Sequence, residues 1–288
     1  MLRHLLRKWN DLPVFNPSLW PQRELLAGAV GVTACLAFVA HRIFRFNRYT
    51  GDLPPFLKQF PASIDLRFTL VDWHWLMWLS VWIIETGILT GYMVAFTSRT
   101  GAKSVARGFM EVVFPMIIAG LPFLIVLTPM NFNRVWPPAI GALKDFLYNQ
   151  TVSANFKAAF LLQSWEPVFF LFLTVIIVGG AINLLGLLSL RKAFTITAEA
   201  RLLIRQGLFK YIRHPLYAGH FVMFAGYLLF HLYWYTVMLY LIFLGGQYLR
   251  ARMEERKLMS VFSEYADYRR DTGMFVPKIG RKTSQLRE

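Results

Sequence analysis

The sequence predicts an all-α, polytopic integral membrane bundle of about six transmembrane helices, and three observations predict it. Hydrophobic residues make up 56% of the 288-residue chain and charged residues only 16%, where soluble domains carry about 25% charged. Several apolar runs approach the roughly 20 residues needed to cross a bilayer. The basic residues that give a net charge of +15 cluster in the segments between those runs, where Lys and Arg mark cytoplasmic loops and meet anionic lipid. This placement argues for the lipid bilayer as partner and against nucleic acid. The single cysteine, Cys35, excludes an intramolecular disulfide and any multi-cysteine metal site.

Residues 1–23 are basic and aromatic but too polar for a signal-peptide core, so the first apolar run, 25–44, is expected to stay as a span. The connector to Arg67 holds Gly51, Pro54, Pro55 and Pro61 and reads as turns. Residues 68–96 form the second span and carry Asp72, His74 and Glu85. Asp72 and His74 sit among Trp73, Trp75 and Trp78, as expected of an interfacial aromatic belt. Glu85 lies nearer mid-span, where an ionisable group must face protein or water. It either lines a substrate site or makes a structural hydrogen bond.

Residues 108–128 form the third span, kinked by Pro115 and Pro122. Residues 129–165 are mixed and read as a re-entrant or interfacial segment. Residues 166–190 form the fourth span, with Gly179, Gly180 and Gly186 allowing close helix contact and Asn183 as its buried polar residue. Residues 215–231 and 234–249 are the fifth and sixth, a tight antiparallel hairpin joined by Leu232 and Tyr233. Leu258, Phe262, Tyr265 and Tyr268 then recur at helical spacing, which predicts a cytosolic amphipathic helix lying on the membrane or capping the site. Residues 1–165 form an N-terminal membrane region, and 166–288 a core with a cytosolic tail. The basic loops at 97–107 and 191–213 and the basic C-terminus are expected in the cytoplasm. Arg42, Arg45 and Arg48 conflict with that topology unless a break falls within 129–165. The short loops suggest a bacterial inner membrane.

The chemistry-bearing residues gather near the end. In the run Arg213, His214, Pro215, Leu216 and Tyr217, proline at the first helical position places His214 at the cap. The helix start then offers backbone N–H groups to a carboxylate or phosphate. A basic interfacial anchor beside a span would look the same. Arg250 and Glu254 share a helix face four residues apart, with Glu255 beside them. The hairpin returns them to the membrane face of His214. His214, His220 and His231 share one span without carboxylate partners in it, so no metal site is expected.

This joint pattern resembles the isoprenylcysteine carboxyl methyltransferase family, whose core the phospholipid N-methyltransferases and methanethiol S-methyltransferases share. The resemblance spans about residues 185–277. It implies S-adenosyl-L-methionine as cofactor on the cytosolic side and a lipophilic or lipidated substrate entering from the bilayer. By position it implies cofactor contacts at Leu202, Leu203, Ile204, Phe209, His214, Pro215, Leu216, Tyr217 and Glu254, and a substrate-orienting role for Arg250. Arg250 and Glu254 are thereby the candidate catalytic pair and Arg250 a candidate substrate contact, to which the mid-span position of Glu85 adds a second. Phe209 stands where the isoprenylcysteine enzymes have tyrosine, and residues 194–200 depart from the eukaryotic pattern.

The residue chemistry fits that expectation. A methyl sulfonium donor carries a carboxylate suited to the helix start, a cation suited to the Tyr217 face and an amine suited to Glu254. A carboxylate or thiolate acceptor needs a cation to hold it, and an amine needs a proton acceptor such as Glu254 or Glu255. Two further readings remain from sequence. Sterol-type reductases using NADPH share a related Arg-His run. A transporter or lipid-binding protein would line a path with Asp72, Glu85 and Asn183, although no internal repeat is present.

Overall fold

The computed structural model describes residues 70–98, 100–131 and 166–278, with single positions between 29 and 40 and between 134 and 139. The expected first span at 25–44, its turn-rich connector and most of 129–165 lie outside the described residues. So do the side chains of Asp72, Trp73, His74, Trp75 and Trp78.

Six α-helices carry the described fold: α1 (Leu70–Ser98), α2 (Gly108–Leu127), α3 (Glu166–Leu190), α4 (Pro215–Phe230), α5 (Trp234–Val261) and α6 (Tyr265–Asp271). Two 3₁₀ turns, Arg191–Ala193 and Gly207–Lys210, interrupt the loop between α3 and α4. Among the described residues no β-strand forms, and the extended contacts are two isolated bridges, Ser104 with Ala200 and Ile212 with Gly273. The all-α expectation holds.

Among the described residues, three helices are long and apolar enough to cross a membrane: Leu79–Ser98 within α1, all of α2, and Val168–Leu190 within α3. Their outer faces expose Ile83, Met116, Ile117, Leu127, Leu171 and Leu185, an apolar belt far larger than a soluble monomer tolerates. The protein is therefore a multi-pass membrane protein. Helix α4 has 16 residues and so spans about 24 Å, short of the roughly 30 Å hydrocarbon core.

Backbone proximity fixes the centre of the bundle. A Cβ at Gly219 would meet the Asn183 backbone, and one at Gly179 would meet the Met223 backbone. Helices α3 and α4 thus approach closely through their glycines, as the sequence suggests. Asn183, wholly buried, donates its side-chain amide to the Leu216 carbonyl at 3.1 Å. Leu173, Ile176, Phe224, Phe230 and Phe243 fill the adjoining core.

Three expectations are corrected. The hairpin of α4 and α5 is not tightly packed: α5 leans chiefly on α2, while α4 packs on α3. Gly246 of α5 sits directly against Ile118 of α2, which draws α5 away from its partner and opens a space between them. Helix α5 also does not stop at residue 249 but continues to Val261, so Arg250, Glu254 and Glu255 extend the same rigid rod beyond the apolar run. The amphipathic segment is likewise broken. Chain direction changes at Phe262, the C-cap of α5, and Phe262, Tyr265 and Tyr268 pack with Ala200, Leu203 and Leu258. It caps the loop after α3.

The two ends of the bundle differ. At one end, Thr100 binds the Lys192 carbonyl, Lys103 and Ser104 bind that of Ala200, and Ala198 that of Glu111. Lys257 of α5 bridges to Glu111 of α2 at 2.7 Å. The loops 97–107 and 191–213 and the start of α4 therefore share this basic face. At the other end, the Asn131 side chain closes the turn at Leu232.

Candidate active site

On the basic face a cleft opens between the loop after α3, the start of α4, the polar end of α5 and α6. Leu202, Leu203, Ile204, Phe209, His214, Pro215, Leu216, Tyr217, Arg250 and Glu254 all line it. Every residue that the sequence placed at the cofactor is thus brought to one concavity. Pro215 is the first helical residue of α4 and His214 its N-cap. Gly207 starts the preceding 3₁₀ turn at φ +58, a left-handed backbone that glycine adopts without strain. That turn delivers Phe209 to the wall.

Arg250 is the hub. Its Nε donates to Glu254 Oε1 at 3.1 Å, one Nη donates to the Thr195 carbonyl at 3.3 Å, and its guanidinium carbon lies 5.0 Å from the Tyr217 ring centroid. Tyr217 donates its hydroxyl to Glu254 Oε1 at 2.5 Å, and His214 stacks on the Tyr217 ring at 5.3 Å and 6°. The guanidinium has five N–H donors in all, so these bonds leave donors for a ligand. Arg250 and His214 therefore stand on the same side of the bilayer and in the same cleft.

Glu255 works differently from its neighbour. Its side chain is 1% exposed and accepts from Arg213 Nε at 2.7 Å. His214 Nε2 lies 3.4 Å from the same oxygen, and Arg269 Nε is 3.6 Å from the other. Burial alone would raise the carboxyl, but His214 and Arg213 outweigh it and hold it down at about 2. Arg213 also donates to the carbonyls of Arg269 and Thr272, and the amides of Arg213 and His214 bind the carbonyls of Gly273 and Met274. Glu255 thus ties the start of α4 to the segment after α6. Glu254 faces the ligand space, and Glu255 holds the frame.

Sequence reasoning missed several residues here. Glu199 and Arg201 line the cleft as a buried pair at 2.7 Å, with Thr197 donating to Glu199 at 2.5 Å. Two charges two residues apart, just past an apolar span, were the available signal. Tyr265 lines the cleft too; its hydroxyl is buried without a hydrogen-bond partner. Burial, then the Glu255 charge, push that hydroxyl's pKa up. Tyr268 donates to the Phe209 carbonyl at 2.6 Å, and burial raises its pKa to about 12.

Behind Arg250 lies a second space, an apolar cavity of about 390 Å³ within the membrane region. Ile88, Leu89, Ala119, Pro122, Phe123, Met223 and Phe224 form its walls. It occupies the gap left where α5 leans away from α4. Glu85 sits here and not in the cleft, accepting a hydrogen bond from Tyr227. Tyr92 and His220 face the same cavity, hydrogen-bonded at 3.2 Å. Gln247, one turn before Arg250, also lines it. Leu216, Tyr217 and Arg250 belong to both spaces and form their common wall.

The three histidines of this region diverge: His214 faces the cleft, His220 the cavity, and His231 meets Thr128 at the opposite end. Among the described residues no group of His, Cys, Asp and Glu could hold a metal ion.

No curated protein matches the chain. Residues 171–260 match the family model of the isoprenylcysteine carboxyl methyltransferase (ICMT) family, a range that runs from α3 to the end of α5 and contains the cleft's His214, Tyr217, Arg250 and Glu254. The match favours methyl transfer over the reductase and transport readings. Over residues 171–260 this chain is thus similar to the isoprenylcysteine carboxyl methyltransferase family, whose members are S-adenosylmethionine-dependent methyltransferases.

Proposed function

We propose that the cleft binds S-adenosylmethionine on the cytosolic face and that the apolar cavity receives the tail of a lipophilic acceptor. The shared wall of Leu216, Tyr217 and Arg250 carries this reading, because it brings a polar ligand and an apolar one to the same guanidinium.

The cleft's residues suit the donor. The orphaned Tyr265 hydroxyl is a buried polar atom facing the cleft, and a polar ligand satisfies it. It offers a hydroxyl close to where Phe209 lacks one. Leu202, Leu203 and Ile204 give an irregular backbone and an apolar wall along one side. Glu254 presents a carboxylate for an amine, and the start of α4 presents N–H groups for a carboxylate. When bound, S-adenosylmethionine supplies an electrophilic methyl group on a sulfonium centre.

Alignment is the main lever for such a displacement, worth up to about 7–11 kcal/mol. Arg250 is fixed by Glu254, the Thr195 carbonyl and the Tyr217 ring, so its remaining donors point a carboxylate or thiolate acceptor without further ordering. An amine acceptor instead passes its proton to Glu254. The apolar cavity excludes water from the acceptor side and so limits hydrolysis.

Calorimetry of the purified chain with S-adenosylhomocysteine tests the reading, together with mass spectrometry of lipid extracts incubated with labelled S-adenosylmethionine. Binding and a labelled, chloroform-soluble product are expected. A folded protein that binds no S-adenosylhomocysteine overturns the assignment of the cleft.

A further inference from the structure

The cavity holds more polar atoms than an alkyl tail requires. Tyr92 and His220 stand at its end near Arg250 and feel that charge. Seven residues away on each of the same two helices lie Glu85 and Tyr227, joined by the Tyr227 hydroxyl. At 1.5 Å per residue the two pairs are about 10 Å apart along the bundle. Between them Ile88, Leu89, Met223 and Phe224 line an apolar stretch. Two cavity-lining atoms near the shared wall, Gln247 Oε1 and His220 Nδ1, are buried with no hydrogen-bond partner. Gln247 is itself 1% exposed, so lipid headgroups and bulk water do not reach it.

Buried polar atoms of this kind are ordinarily satisfied. A pure hydrocarbon at the Arg250 end of the cavity would leave Gln247 and His220 orphaned, and one at the other end would leave the Tyr227 oxygen's remaining capacity unused. Tyr227, having donated its proton to Glu85, keeps acceptor capacity on its oxygen. An alcohol can donate to it.

We propose that the acceptor is a two-ended amphiphile, with its methyl-accepting group at Arg250 and a hydroxyl-class group about 10 Å along its chain, bound by Glu85 and Tyr227. This rests on the methyl-transfer reading and adds the substrate class. A site built around a hydroxyl discriminates strongly against the analogue lacking it, because the site's own polar atoms are then left unpaired. The competing account is that Glu85 and Tyr227 serve only to pin α1 to α4.

The full-length protein in lipid nanodiscs separates these. S-adenosylhomocysteine binding is measured first, and its absence refutes the methyl-transfer reading by itself. Affinities are then measured for decanoic acid, decylamine and their ω-hydroxy derivatives, with the ω-hydroxy acids and amines of hexane and hexadecane as length controls. In whichever headgroup series binds tighter, the ω-hydroxydecyl compound is expected to bind at least about tenfold better than its parent, and the two length controls are expected to lose that preference. Tyr227→Phe and Glu85→Gln each abolish the preference, with S-adenosylhomocysteine binding in the cleft measured on each variant as the check that it is folded. No preference in either series, or a preference that survives both substitutions, overturns the proposal.

Discussion

The cleft and the cavity meet at Arg250 yet are built in opposite ways. The cleft is walled largely by loop and by helix ends, and its charges come in satisfied sets: Glu199 with Arg201, Glu255 with Arg213, and Glu254 with Arg250. The cavity is walled by four membrane helices and a short piece of the loop after α3, and most of its lining is apolar. Buried charge is tolerated only when paired, and the cleft can supply pairs because loops aim many side chains at one point. A helix wall shows one residue per turn or so, which limits the cavity to isolated polar stations. The protein therefore places its paired charges where the backbone is irregular and its apolar space where it is regular. Arg250 links the two because α5 runs on past the apolar segment as one helix.

Substituting the shared residue tests that link most severely. Arg250→Ala strips Glu254, Tyr217 and the Thr195 carbonyl of a partner. Methyl transfer is expected to fall about 10³-fold, equivalent to about 4 kcal/mol, measured as labelled lipid product per unit of folded protein. Retained activity would separate the cleft from the cavity as functional units.

A change confined to the cleft comes next. Glu254→Gln keeps the shape but removes the charge facing the ligand, and S-adenosylhomocysteine affinity is expected to drop about 30-fold, or roughly 2 kcal/mol, by calorimetry. Affinity for a cavity ligand should fall by less, since Glu254 reaches the cavity only through Arg250 and Tyr217. A change confined to the cavity should do the reverse. Ala119→Trp fills part of the cavity wall, and the KM for the lipid acceptor is expected to rise about tenfold with S-adenosylhomocysteine affinity unchanged. If both ligands suffer equally from either substitution, the two spaces act as one.

The last test is of the frame, and it reads stability and not ligand binding. The Glu255 carboxyl titrates at about 2 in the folded protein against 4.5 for the free group. A group depressed on folding contributes stability that is fully present above its unfolded value and is lost as pH falls toward its folded one. Thermal stability should therefore decline as pH drops from about 4.5 to about 2, and Glu255→Gln should flatten that slope. An unchanged slope would show that the Arg213 clamp contributes nothing.

Much of the site was legible as sequence because its signals are local. Pro215 after His214 specifies a helix start wherever it occurs, and the glycines of α3 announce a close neighbour without naming it. The spacing of Arg250 and Glu254 puts them on one helical face in any fold. Glu199, Arg201 and Tyr265 were not legible, since their burial depends on a loop whose course no periodicity encodes. Gln247 could have been found from its place one turn before Arg250 within an apolar run. The tight hairpin was misjudged because two residues of linker bound the loop length but do not set the splay between helices.

What the sequence by itself determined is the membrane class, the boundaries of α2, α3 and α4 to within a residue or so, and the helix-borne part of the cleft lining, from His214 to Tyr217 and at Arg250 and Glu254. Hydrophobic run length, proline and helical spacing act over a few residues, and a single chain displays them directly. What only the tertiary structure decided is that α5 rests on α2 and not on α4, through the close seat of Gly246 on Ile118. That choice opens the cavity, puts Glu85 inside it and makes Arg250 face both ways. It depends on the relative fit of helix surfaces distant in sequence, which no local pattern carries.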